Sequence, residues 1–145
     1  MTSADSVPGC VLCRASASAS ELLVHMGELN FVVMNLFPYS SGHVMVAPKR
    51  HVGSLGEATL EELAELMTLA RRVEQVFREV YHPDGINLGM NLGRPAGAGV
   101  ADHIHMHVVP RWSGDTNFMT VVGGTRVIPE EPAQSCARLR PFFTR

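Results

Sequence analysis

Residues 102–112 read DHIHMHVVPRW, with His103, His105 and His107 at every second position and Ile104, Met106 and Val108 between them. Few patterns restrict a fold as tightly. On a β-strand successive side chains point to opposite faces, so the apolar residues pack inward while the imidazoles line the other face, roughly 6.5 to 7 Å from one to the next. Costly clusters of titratable groups gather at functional sites, and a row of three rings suits either a metal or a phosphate-reacting centre.

The flanking sequence supplies the rest of a sheet. ELLVHMG and FVVMNLF read as two strands around the turn GELN, and GHVMVAP as a third. From Thr59 to Tyr81 the pattern is helical: Thr59 with Glu62 forms a capping box, and Leu60, Leu63, Met67, Ala70, Val73, Phe77 and Val80 recur at helical spacing. His82-Pro83-Asp84-Gly85 stops the helix, and GINLGMNLG is a glycine-rich fourth strand leading through RPAGAGVAD to the histidine strand. ASASAS (15–20) reads as a loop, and SCARLRPFF as a short helix broken by Pro141. Hairpin strands, one long helix and two further antiparallel strands predict an α+β fold in a single domain over 1–145, with 1–9 a disordered tail. A helix on one face leaves the other free for a site or a partner subunit.

At 145 residues and a formal net charge of -2, the chain has one domain's length and no basic footprint, which argues against nucleic acid. No apolar run approaches a membrane span, and MTSADSVPG lacks a signal-peptide core, so the expected location is cytoplasmic. Cys10 and Cys13 form a C-x2-C pair, which in a reducing compartment suits a metal or redox role better than a structural disulfide. Cys136 reads as an inert small residue. His25 and His82 read as surface residues.

Neutral imidazole is a good nucleophile toward phosphorus and its cation a good leaving group. The middle ring, His105, has a neighbour on either side to orient it or supply a proton, and a carbonyl bonded to its Nδ1–H leaves Nε2 free to attack. The preceding loop NLGRPAGAG (Asn91 to Gly99) brings backbone N–H groups toward an anion, although it is neither a Walker A loop nor a Rossmann fingerprint. A structural zinc takes four N/S ligands, of which Cys10 and Cys13 supply two; His51 and His103 are candidates for the others, distant in sequence.

DHIHMHVVP resembles the mark of the histidine triad superfamily, His-x-His-x-His followed by two apolar residues, and PYSSGHVMVAPKRH resembles that family's upstream strand pair. The likeness runs from Cys10 to about Pro129. It implies a histidine-triad fold that joins two sheets across a homodimer, and nucleotidyl transfer from the α-phosphate through a nucleotidyl-histidine intermediate. By this resemblance His105 is the nucleophile, His107 contacts the phosphate and assists the leaving group, and His43 stands behind them. Asn35 matches the family's asparagine near the ribose and Asn91 the one opening the phosphate loop. Cys10, Cys13, His51 and His103 match the zinc ligands of several bacterial members.

RPAGAG, PRWSGDTNFM and TRVIPE look like the bacterial diadenosine tetraphosphate phosphorylase branch. Many hydrolase members carry G-Q-[ST] before the triad; here Ala98 and Gly99 stand there, with one extra residue of spacing. Backbone amides near Gly97 and Gly99 then hold the anionic oxygens. Trp112 either stacks on adenine or packs against a dimer partner. The expected substrate is an adenine nucleotide or dinucleoside polyphosphate, with phosphate or water as acceptor. Rival readings are a nucleoside phosphoramidase or dinucleotide hydrolase, a non-catalytic adenine nucleotide-binding regulator, and a metal-binding module.

Overall fold

The computed structural model describes residues 7, 9–17, 20–35, 41–93, 96, 103–114 and 130–144. Five strands, β1 (Leu23–Met26), β2 (Asn30–Met34), β3 (Val44–Pro48), β4 (Gly85–Met90) and β5 (Met106–Arg111), form one antiparallel sheet in the order β1-β2-β3-β5-β4. The helices are α1 (Val11–Ala17), α2 (Leu60–Val80) and α3 (Pro132–Leu139). The antiparallel sheet with one long helix matches the expected α+β class. Its last strand in sequence, β5, inserts between β3 and β4, which places the segment just before it at the middle of the sheet. Much of the expected tail 1–9, and Gly97, Ala98 and Gly99 of the expected phosphate loop, lie outside the described residues.

Alternation sorts the strands into two faces. Val32, Met34, Val44, Val46 and Val108 pack beneath Leu66, Leu69, Val73 and Phe77 of α2, joined by Cys136 and Leu139 of α3. Phe31, Val33 and Ala47 face the opposite way and meet Cys10, Leu12 and Cys13 around α1. Phe77, fully buried, costs about 3–5 kcal/mol when truncated to Ala at a site of this kind.

Helix α2 starts where expected, with the Thr59 hydroxyl accepting the Glu62 N–H at 3.0 Å and Glu62 Oε1 accepting the Thr59 N–H at 2.8 Å. The buried stripe differs from the sequence expectation. Leu60 is 80% exposed and Met67 55%, while Glu62, Leu66, Leu69, Ala70, Val73, Val76 and Phe77 face the sheet. A charged residue opens that stripe: Glu62 is held by Arg50 at 2.7 Å, and a charge in a core position hides the true register.

Three further expectations change. Residues 15–17 of ASASAS belong to α1 rather than a loop; alanine favours helix and the Ser16 hydroxyl bonds back to Cys13 O at 3.0 Å. His25 is half-buried and stacks on Phe143 at 5.4 Å between centroids. Strand β5 begins only at Met106, so His103 and His105 precede it and the three rings do not form one strand's row. Pro141 ends α3 as expected, and a 3-10 turn, Arg140–Phe143, follows. No helix among the described residues is long and apolar enough to cross a membrane.

The β1–β2 turn is tied to α2 by one carboxylate. Glu65 accepts the backbone N–H groups of Glu28, Leu29 and Asn30 at 2.9, 2.8 and 2.6 Å, and the Asn30 side-chain amide at 2.9 Å. Burial pushes this carboxyl up, but those four donors outweigh it and hold Glu65 below its ordinary value of 4.5. A depressed carboxyl contributes stability above its unfolded value that is lost as pH falls through the folded one. Replacing Glu65 with Ala is expected to cost about 2 kcal/mol in urea unfolding at neutral pH, because three turn N–H groups lose their acceptor. The gap from wild type should narrow as the pH is lowered below the ordinary carboxyl value of 4.5; a constant gap would contradict this role.

Candidate active site and metal centre

The chain between Ile104 and Met106 lies where two side-chain clusters meet. On one side, Cys10 and Cys13 come from α1 and the residue before it, His51 from just after β3, and His103 from just before β5. One ligand atom from each lies within 4.8 Å of the others. Cys10 Sγ stands 3.4 Å from His103 Nδ1, and Cys13 Sγ stands 3.5 Å from His103 Nδ1 and 3.3 Å from His51 Nδ1. A cation held tetrahedrally at about 2.3 Å from sulfur and 2.0–2.1 Å from nitrogen sets sulfur and nitrogen about 3.5 Å apart. The four side chains fit such an ion.

Their protonation chemistry agrees. His103 Nε2 lies 2.7 Å from Pro48 O, and a carbonyl only accepts, so Nε2 carries the hydrogen and Nδ1 presents its lone pair to the sulfurs. Burial, ahead of the neighbouring charges, also pushes His103 down. The Cys13 thiol is pushed up by burial and by the neighbouring Cys10, against a lowering bond from the Val7 N–H at 3.5 Å. Two sulfurs in a dry site ionise together only when a cation compensates them.

On the other side of the segment stand His105, His107, His43 and Asn35. The His105 ring lies 4.9 Å from that of His107 between centroids, closer than adjacent same-face positions of a regular strand, because His105 precedes β5. His105 Nδ1–H donates to His103 O at 2.9 Å, so its Nε2 holds the lone pair. The residue is 3% exposed, and its ring meets that of His107 edge-on. His43 Nε2 meets His107 Nδ1 at 2.9 Å, and Asn35 Nδ2 meets the same His43 nitrogen at 3.3 Å. Asn35 N–H also donates to His43 O at 3.0 Å, which fixes the approach to β3. Burial first, and then His107 and His105, lower His43 to about 4; burial and His105 lower His107. Both rings are therefore neutral at physiological pH.

Of the expected site residues, His43, His105, His107 and Asn35 come together, and so do the four expected metal ligands. Asn91 follows β4, whose Met90 pairs with Met106, and so stands level with His105 across the strands. Trp112 lies just past the far end of β5, with its ring edge-on to Tyr81 at 6.2 Å, and is not brought beside the imidazoles. Two contributors escaped the sequence reading, the carbonyls of Pro48 and Val52; the latter accepts the Ile104 N–H at 2.8 Å. Backbone acceptors leave no residue-type signal. Only the pairing of the two segments reveals them.

The HIT domain family model matches residues 17–114. Over 109 residues the chain is 49% identical to "AP-4-A phosphorylase" of Mycobacterium tuberculosis, covering 75% of this chain and 56% of that protein. It is 39% identical over 88 residues to the asymmetrical bis(5'-nucleosyl)-tetraphosphatase of Schizosaccharomyces pombe, covering 61% and 48% of the two. The chain thus spans about half the length of these curated relatives. A solved zinc-bound histidine triad family protein from Mycobacterium smegmatis superposes with a TM-score of 0.75 at 29% identity, over 94% of each chain. The matched residues hold the five-stranded sheet, its long helix and all three alternating histidines, and the chain belongs to the HIT domain family.

Proposed function

We propose that the protein transfers a nucleotidyl group from a dinucleoside polyphosphate of the diadenosine tetraphosphate type, by way of a covalent adduct on His105. The observation that carries this reading is the bond from His105 Nδ1–H to His103 O, which leaves the opposite nitrogen basic and its ring held beside His107. Nε2 of His105 attacks the α-phosphorus in line; the P–N bond forms as the P–O bond to the remaining nucleotide breaks.

His107 assists departure. As oriented, the Asn35 amide nitrogen only donates, so His43 Nε2 is an acceptor and the hydrogen between the two rings sits on His107 Nδ1. The other nitrogen of His107 is then free for the substrate. A bound polyphosphate favours the protonated ring, whose Nε2–H stabilises the leaving oxygen. In the second step the adduct passes its nucleotidyl group to the acceptor and restores His105. The name of the Mycobacterium tuberculosis relative supports phosphate as acceptor, and that of the Schizosaccharomyces pombe relative supports water as the second reading.

Zinc is the ion that suits a closed set of two cysteines and two histidines, with a structural role. The solved zinc-bound relative supports this choice. A reducing cytoplasm would keep both thiols available to it. The reading includes a homodimer: β4 is an edge strand, and Leu88 and Leu92 are exposed on and just beyond it.

Replacing His105 with Ala should abolish turnover of diadenosine tetraphosphate while leaving the thermal midpoint near wild type. Wild-type protein with inorganic phosphate should yield ADP and ATP; AMP and ATP under the same conditions would assign the hydrolytic reading. Normal turnover by the variant would overturn the mechanism.

Purified protein should hold about one zinc per chain, and Cys13→Ser should lose most of it. Chelation should lower the thermal midpoint by about 10 °C, as expected for a structural ion worth a few kcal/mol or more. A metal-free protein of unchanged stability would contradict the assignment.

A further inference from the structure

The turn that delivers His43 to β3 is gripped from outside the imidazole cluster. Gly42 has φ +82°, in the left-handed region, and a Cβ built on it would stand 2.6 Å from Cε2 of Tyr81 and 2.9 Å from its Cζ. The rim of that ring therefore bears on the Gly42 backbone, closer than a side chain at this position allows. The residue before it is held too, because Ser41 Oγ accepts the Glu130 N–H at 2.8 Å. Both contacts fall just ahead of His43, whose Nε2 meets His107 Nδ1 at 2.9 Å.

Tyr81 closes α2 as its C-cap, and its ring is fixed on several sides. The hydroxyl donates to Glu130 Oε1 at 2.9 Å, and the Ser135 hydroxyl donates to the same oxygen at 2.7 Å. Arg138 pairs with the other carboxylate oxygen and sets its guanidinium carbon over the face of the Tyr81 ring, 5.0 Å from its centre. Phe77 and Trp112 stand edge-on to that ring at 5.8 and 6.2 Å. Burial pushes the Glu130 carboxyl up, but Ser135, Arg138 and Tyr81 outweigh it, so the carboxylate stays ionised and keeps accepting. Glu130 thus ties the end of α2 and the start of α3 to the turn before β3.

We infer that Tyr81, anchored by Glu130, is a positioning residue that sets the approach of His43 to His107 by bearing on Gly42. Glycine at 42 serves twice, by accepting the positive φ and by leaving room for the ring. A hydrogen bond weakens steeply as it lengthens and bends, so a small shift of the Gly42 peptide reaches the hydrogen shared by the two imidazoles. The inference rests on the proposed function for the reaction that His107 serves, and the tautomers of the two rings are read without turnover.

The test compares wild type with Tyr81→Phe, Tyr81→Leu and Gly42→Ala. It reads ring-nitrogen NMR of His43 and His107, kcat and KM for diadenosine tetraphosphate, and the thermal midpoint. Wild type should show one tautomer for each ring, with the shared hydrogen on His107 Nδ1. Tyr81→Leu and Gly42→Ala should each give mixed tautomers and lower kcat about tenfold while KM moves less than about twofold, as a small misplacement of a reacting group does. Tyr81→Phe keeps a ring on Gly42 and should keep the wild-type tautomers, with kcat down less than about threefold for the lost hydroxyl bond. Unchanged tautomers and kcat in Tyr81→Leu or Gly42→Ala, whatever the midpoint, would overturn the inference. So would equal losses in Tyr81→Phe and Tyr81→Leu. Single tautomers in wild type that become mixed in Tyr81→Leu, without turnover by wild type, would instead reject the nucleotidyl transfer and leave the Tyr81 contact standing.

Discussion

His103 makes three commitments at once, and the site depends on all of them. Its Nε2–H is fixed on the Pro48 carbonyl, its Nδ1 faces two sulfurs, and its own carbonyl takes the Nδ1–H of His105. A residue held at both ring nitrogens has little freedom about its backbone, so the direction of its carbonyl is set as well. That carbonyl selects the tautomer of the next histidine but one. The candidate ligand set and the proposed nucleophile thus share one peptide rather than communicating over a distance. If the proposed ion is held at Cys10, Cys13, His51 and His103, the free energy of holding it is in this sense also free energy of orientation at His105.

The sheet divides labour between its faces in a way that makes this possible. Beneath Leu66, Leu69, Val73 and Phe77 of α2 the packing is apolar and close, so the strands carrying Val44, Val46 and Val108 have little room to shift. The opposite faces of the same strands then present His43 and His107 at a fixed separation. Arg50 and Glu62 extend that rigidity to the segment bearing His51, because the guanidinium bonds the carboxylate at 2.7 Å and the Glu57 carbonyl at 3.2 Å. The Arg50 side of the pair holds Glu62 below its ordinary value, against the opposing effect of burial. Such a pair is costly to break from one side, since the surviving charge stays buried.

The long helix, the hairpins and both residue clusters could be read from the sequence, because each left a periodic or compositional trace. Thr59 and Glu62 announced the start of α2, and the alternation that ends at His107 announced β5. What stayed illegible has a common cause: bonds made by or to backbone. Nothing in the letters marks the Pro48 or Val52 carbonyl as an acceptor, or shows that Glu65 would gather three turn N–H groups. The histidine row was misjudged for the same reason. His103 leaves the row because β5 starts only at Met106, and that boundary is set by pairing with Val46 and Met90 rather than by residue type. The stripe of α2 was misplaced because Glu62 occupies a position that a hydrophobicity pattern assigns to solvent.

Neutrality of the buried imidazoles has a consequence for selectivity. His43 at about 4 and His107 below its ordinary value hold no positive charge at neutral pH, so these two rings offer a free anion no fixed charge. On the proposed function, charge develops there when a phosphate ester sits close enough to draw a proton onto His107, and that stabilisation grows as negative charge gathers on the departing oxygen. An interaction that strengthens along the reaction coordinate lowers the barrier, whereas a permanent cation at the same place would bind substrate and product alike.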